Sequence, residues 1–119
     1  MDRQAVEIPK IIYNSIIPKL ASWFFPVAAI TIGPFVFVRR SRANPYLINH
    51  ESIHVAQGRE LYYLGFWALY FYYFFRGVFK FGPFEAYKSI PFEREAYANQ
   101  TDLEYLNKRK PQGWKSYRI

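Results

Sequence analysis

Apolar positions along this chain change their period several times, and each change marks an element. Between Pro9 and Phe25, Ile12, Ile16, Leu20 and Trp23 recur at helical spacing, and Pro18 is expected to split the segment into two short helices forming a packing cover. From Ala28 to Arg39 the pattern becomes extended: Ile30 and Ile32 flank Thr31, Gly33-Pro34 interrupts, and the β-prone run Phe35-Val36-Phe37-Val38 follows, which predicts a hairpin or a bulged strand. Asn44-Pro45 is a helix start, because asparagine caps free backbone N–H groups and proline at the first helical position loses no bond. That helix is predicted to run through His50 and His54 to Leu61. On its wheel Leu47, Glu51, His54, Val55, Gly58 and Tyr62 share one side with His50 close by, leaving Asn49, Ser52, Arg59 and Glu60 elsewhere. An aromatic-rich helix follows Gly65 and ends near Gly77 or Gly82-Pro83. Pro91 then opens a helix through Asn107 with an apolar stripe of Phe92, Ala96, Leu103 and Leu106.

These elements predict a mostly helical α+β domain. At 119 residues the chain suits a single domain, read as an N-terminal helical cover (1–27), a core (28–107) and a basic, polar tail (108–119) anchored by Trp114. Aromatic residues make up 22% of the chain against 21% charged, which excludes a disordered protein. The helix around Phe66, Trp67, Tyr70, Phe71 and Phe74 reads first as core. Its other reading is an interface for a membrane, a partner or a second copy.

The absence of cysteine excludes a disulfide framework and every thiolate metal site, so any metal must be held by imidazole and carboxylate. A net charge of +7 raises nucleic acid as a partner, but the basic residues are scattered apart from Arg39-Arg40-Ser41-Arg42 and Lys108-Arg109-Lys110, and no nucleic-acid motif accompanies them. No specific nucleic-acid binding is expected. Residues Met1 to Lys10 mix acid and base without a following cleavage signal, so we expect no secretory signal peptide and a cytoplasmic rather than secreted protein. Two uncharged stretches, Leu20 to Val38 and Leu61 to Phe75, keep membrane association open. The first is broken by Pro26 and Gly33-Pro34, and the second is short of the ~20 residues a spanning helix needs.

The chemistry lies in His50-Glu51-Ser52-Ile53-His54. Two histidines one turn apart on one helix face can converge on a single tetrahedral Zn²⁺, with Glu51 beside them. Zinc with three protein ligands keeps a position for water, lowers its pKa to about 7, and lets a neighbouring carboxylate accept the proton. Glu51 suits that task. The alternative is a pair of buried helix histidines. The third ligand must be a carboxylate, and Glu93 and Glu95 of the helix opened by Pro91 are the contenders. Tyr87 and Tyr97 are candidate donors to a developing oxyanion, and Gln57, one turn after His54, reads either as a partner for a ligand or the neighbouring helix or, equally, as a plain surface glutamine.

His50-Glu51-Ser52-Ile53-His54 followed by Glu93-Arg94-Glu95-Ala96 resembles the minimal gluzincins, small zinc peptidases with a His, His, Glu site, over roughly Ala28 to Gln100. The resemblance implies a zincin-like domain whose short hairpin or edge strand packs on the metal helix and a glutamate-bearing helix. In related gluzincins the ligand opens a Glu-x-x-Ala-Asp run, which falls on Glu93 to Tyr97. This implies His50, His54 and Glu93 on Zn²⁺, Glu51 as catalytic base and acid, small Ala96 where two helices approach, and Tyr97 in place of the aspartate. It also implies a peptide or protein substrate, held against Phe35 to Val38 as an edge strand. Rival expectations are a metal-tied assembly protein without turnover and a membrane-associated protein.

Overall fold

The computed structural model describes residues 9–21 and 28–118. Gly33, at φ +60, makes the turn between β2 (Ala29–Ile32) and β3 (Phe35–Val38), the predicted hairpin. Side chains alternate on β2: Ala29 and Thr31 are buried, while Ile32 is exposed. The third strand is unforeseen. β1 (Lys10–Ile12) lies parallel to β3, giving the order β1-β3-β2. Phe35 to Val38 is therefore the central strand, hydrogen-bonded on both sides, and not an edge.

The predicted cover is corrected by the same strand. Among the described residues of that segment, Ile16–Ala21 is helical (α1), with Ser15 accepting from the Ile17 N–H at 3.1 Å. Pro18 is tolerated in the first turn and buried, whereas Ile12, Ile16 and Leu20 face outward. Ladder bonds to β3 outweigh the helical spacing of Pro9 to Tyr13, which is too short to nucleate a helix alone. The predicted contributions of Trp23 and Phe25 lie outside the described residues.

α2 (Pro45–Glu60) starts as expected, with the Asn44 side chain accepting from the Leu47 N–H at 2.8 Å. Its burial is wider than a single apolar face: Asn49 and Ser52 are buried too, because α2 lies between the sheet and α5 (Pro91–Asn99). Asn49 donates its side-chain N–H groups to the carbonyls of Gln100 at 2.8 Å and Asp102 at 3.0 Å. These bonds serve carbonyls that the end of α5 leaves unsatisfied. Asp102 turns the chain by accepting from the Glu104 N–H at 3.1 Å. The predicted helix through Asn107 is thus cut at Asn99 and resumes only as α6 (Tyr105–Lys108), leaving Leu103 exposed.

α3 (Leu64–Phe81) and α4 (Pro83–Ser89) form a pair against α5. Phe66, Ile90, Phe92 and Trp114 make one core cluster there, and Ala29, Val36, Val38 and Val55 make a second between sheet and α2. No helix among the described residues is long and apolar enough to cross a membrane. The C-terminal segment is not a loose tail. Arg109 is buried, a 3₁₀ turn spans Gly113–Tyr117, and Trp114 packs on Phe92 with ring centroids 4.8 Å apart.

Candidate metal centre

One helical turn places His50 and His54 side by side, and α5 brings Glu93 across from them. His50 Nε2 lies 3.1 Å from Glu93 Oε1, His54 Nε2 lies 3.2 Å from the same oxygen, and the two Nε2 atoms are 3.2 Å apart. Ligands about 2.0 Å from a tetrahedral Zn²⁺ are separated by about 3.3 Å, so this triangle has the size of one face of such a site.

Hydrogen bonding on the far side of each ring decides what the triangle contains. His54 Nδ1 lies 2.8 Å from Gln57 Oε1, and the orientation of that amide is set because Gln57 Nε2 donates to the Phe92 carbonyl at 3.0 Å and to Glu95 Oε1 at 2.9 Å. His50 Nδ1 lies 2.8 Å from Gln100 Oε1. Each Nδ1 therefore carries the hydrogen, and each neutral ring turns the lone pair of Nε2 toward Glu93. Three acceptors converge in a buried space, which calls for a cation. Without metal a proton fills that role in part. Burial opposes charge on His54, but the charge and hydrogen bond of Glu93 outweigh it and raise its pKa to about 9. Burial alone would raise Glu93, yet the two histidines hold it well below the usual carboxylate range.

His50, Glu51 and His54 also form a group whose ligand atoms lie within 4.8 Å of one another, enough to hold a metal ion. Glu93 makes the tighter set with the two histidines, and Glu51 is held apart by Thr31, whose hydroxyl donates to Glu51 Oε1 at 2.7 Å. The second oxygen of Glu93 accepts from the Tyr70 hydroxyl at 2.7 Å. Burial first, then the Glu93 charge, pushes the Tyr70 phenol well up, so it remains a donor. Comparison with known protein families, curated proteins and solved structures finds no match.

Glu95, the other contender, is absent from this triangle. Two residues beyond Glu93 it leaves α5 on the opposite side. Its Oε2 accepts from Arg109 Nε at 2.6 Å and from the Tyr105 hydroxyl at 2.6 Å. Arg109 also holds Glu60 through two bonds of 3.0 Å. Gly113 passes so near that a Cβ there would lie 2.7 Å from Glu95 Oε2.

At the other margin the Tyr97 ring meets His50 edge-on, with centroids 4.6 Å apart, and the Tyr87 and Tyr97 hydroxyls are 3.0 Å apart. Burial, with Glu93 and Glu51 nearby, raises both phenols, so both stay protonated. Gln57, a candidate on the sequence, bonds both a histidine and the neighbouring helix. Thr31, Tyr70, Gln100 and Arg109 were not foreseen. Thr31 carries one signal, a polar residue in the apolar alternation of a strand, whereas Tyr70 is one tyrosine among many.

Proposed function

We propose that this chain is a zinc-dependent peptidase of gluzincin type, with His50, His54 and Glu93 as the metal ligands and Glu51 as general base and acid. The observation that carries the reading is the buried triangle of two imidazole lone pairs and a carboxylate oxygen, 3.1 to 3.2 Å on each edge. Zinc in such a setting lowers the pKa of water and polarises a carbonyl. The residues of the chain supply the rest. Gln57 and Gln100 fix the tautomers and ring planes of the histidines, and Tyr70 fixes Glu93. Glu51, steadied by Thr31, takes a proton from the attacking water and returns it to the leaving amine. Tyr87 and Tyr97 are the phenols able to donate toward a developing oxyanion. An extended substrate would pair with the edge strand β2, because both sides of β3 are taken.

One observation favours a second reading, a metal-tied structural centre without turnover. His50, Glu51, His54 and Glu93 are each no more than 6% exposed, so the site is enclosed.

Elemental analysis of the purified chain is expected to find near one zinc per molecule, lost in the His50→Ala, His54→Ala double variant. Glu51→Gln is expected to keep the metal and lose cleavage of a mixed peptide library. No metal after zinc is supplied would overturn both readings. Zinc without cleavage by the native chain would leave the structural one.

A further inference from the structure

The outer face of α3 is a second feature with a chemistry of its own. Leu64, Phe71, Phe75 and Phe79 follow one another at helical spacing and are 82%, 49%, 56% and 89% exposed. This is the side opposite the face by which Phe66 and Tyr70 reach α5, so packing among the described residues does not explain it.

The charges beside the stripe select its partner. α3 contains no Asp or Glu, and exposed Arg76 and Lys80 lie one turn apart along its flank. With Lys88 and the single acid Glu85 on α4, the two helices carry three cations and one anion, a net +2. A second copy would bring like charge against like charge on a chain already at +7. An anionic phospholipid surface meets both parts of the face: rings and leucine enter the boundary of headgroup and acyl chain, and the cations meet the phosphates. We infer that α3 lies in the plane of an anionic membrane, through Leu64, Phe71, Phe75 and Phe79, with Arg76 and Lys80 at the headgroups. The inference is independent of the zinc reading, since none of these residues belongs to the metal centre.

Pelleting of the full chain with vesicles tests it, using phosphatidylcholine alone and phosphatidylcholine mixed equally with phosphatidylserine. Binding to the mixed vesicles is expected, with little to the neutral ones. The Phe75→Ser, Phe79→Ser double variant should keep its circular dichroism, both residues being exposed, and bind at least about tenfold more weakly. Arg76→Gln with Lys80→Gln should also weaken binding by about tenfold or more. Equal binding to both kinds of vesicle, no binding to either, or native binding by the phenylalanine variant would overturn the inference. A native dimer that this variant converts to monomer, without vesicle binding, would assign the face to a second copy instead.

Discussion

Glu93 and Glu95 stand two residues apart on one short helix, both buried, and end in opposite circumstances. Around Glu95 the chain supplies its own donors: Gln57 and Arg109 to one oxygen, Tyr105 and Arg109 to the other. Arg109 is in turn shared with Glu60, which also accepts from the Gln112 N–H at 2.7 Å. That cluster is closed. Around Glu93, with the histidines neutral, only one oxygen has a donor among the described residues, Tyr70, while the other faces two imidazole nitrogens whose hydrogens are on the far side. Identical side chains thus become structural or ligand-seeking according to the donors within reach.

The largest expected effect separates the two acids by stability. Arg109→Met leaves buried Glu95 and half-buried Glu60 without their cation and should cost about 3–5 kcal/mol, read from urea unfolding with a chelator present. Glu93→Gln in the same assay, run above pH 9 so that His54 is neutral, should cost no more than about 1 kcal/mol, since an amide can donate where the carboxylate only accepts. Its zinc content should fall to background. Equal destabilisation by the two substitutions would erase the distinction.

The distinction also marks where the sequence was readable. Asn44-Pro45, the strand alternation and the histidine pair at one-turn spacing are local signals, and each sits where its local physics puts it. The choice between the two glutamates was not local: Glu-x-x-Ala opens at both, and the partner that occupies Glu95 is Arg109, fourteen residues later in what reads as a basic tail. The parallel β1, the central position of β3 and the early end of α5 share that cause, because each depends on a partner distant in sequence.

Gln57 joins the two regions, with its carbonyl oxygen toward His54 and its amide toward Glu95. Gln57→Ala should therefore weaken zinc binding by about ten- to a hundredfold, measured by competition with a chromogenic chelator. Unchanged affinity would show that the closed cluster does not orient the open one.

Proton linkage offers a further separation. In the metal-free centre the His54 pKa is about 9, raised above its ordinary 6.5. The protonated His54 beside Glu93 therefore stabilises the metal-free fold fully below pH 6.5, and that contribution is lost as pH rises through about 9. Zinc must displace the proton, so its affinity should climb by about tenfold per pH unit across this window and then level off. A flat profile would mean that the triangle binds metal without giving up a proton.

Glu51 provides the smallest test because it belongs to neither arrangement, being steadied by one neutral hydroxyl, that of Thr31. Thr31→Val keeps the shape and β preference of the strand while removing that donor. A hydroxyl bonded to a carboxylate contributes about 1.5 kcal/mol or somewhat more, so peptidase kcat should fall by about tenfold with zinc content unchanged. A loss as deep as that of Glu51→Gln would make Thr31 a partner in proton transfer rather than a positioning residue. No loss at all would mean that Glu51 is held by the packing of α2 against β2, and that the hydroxyl merely satisfies a buried carboxylate.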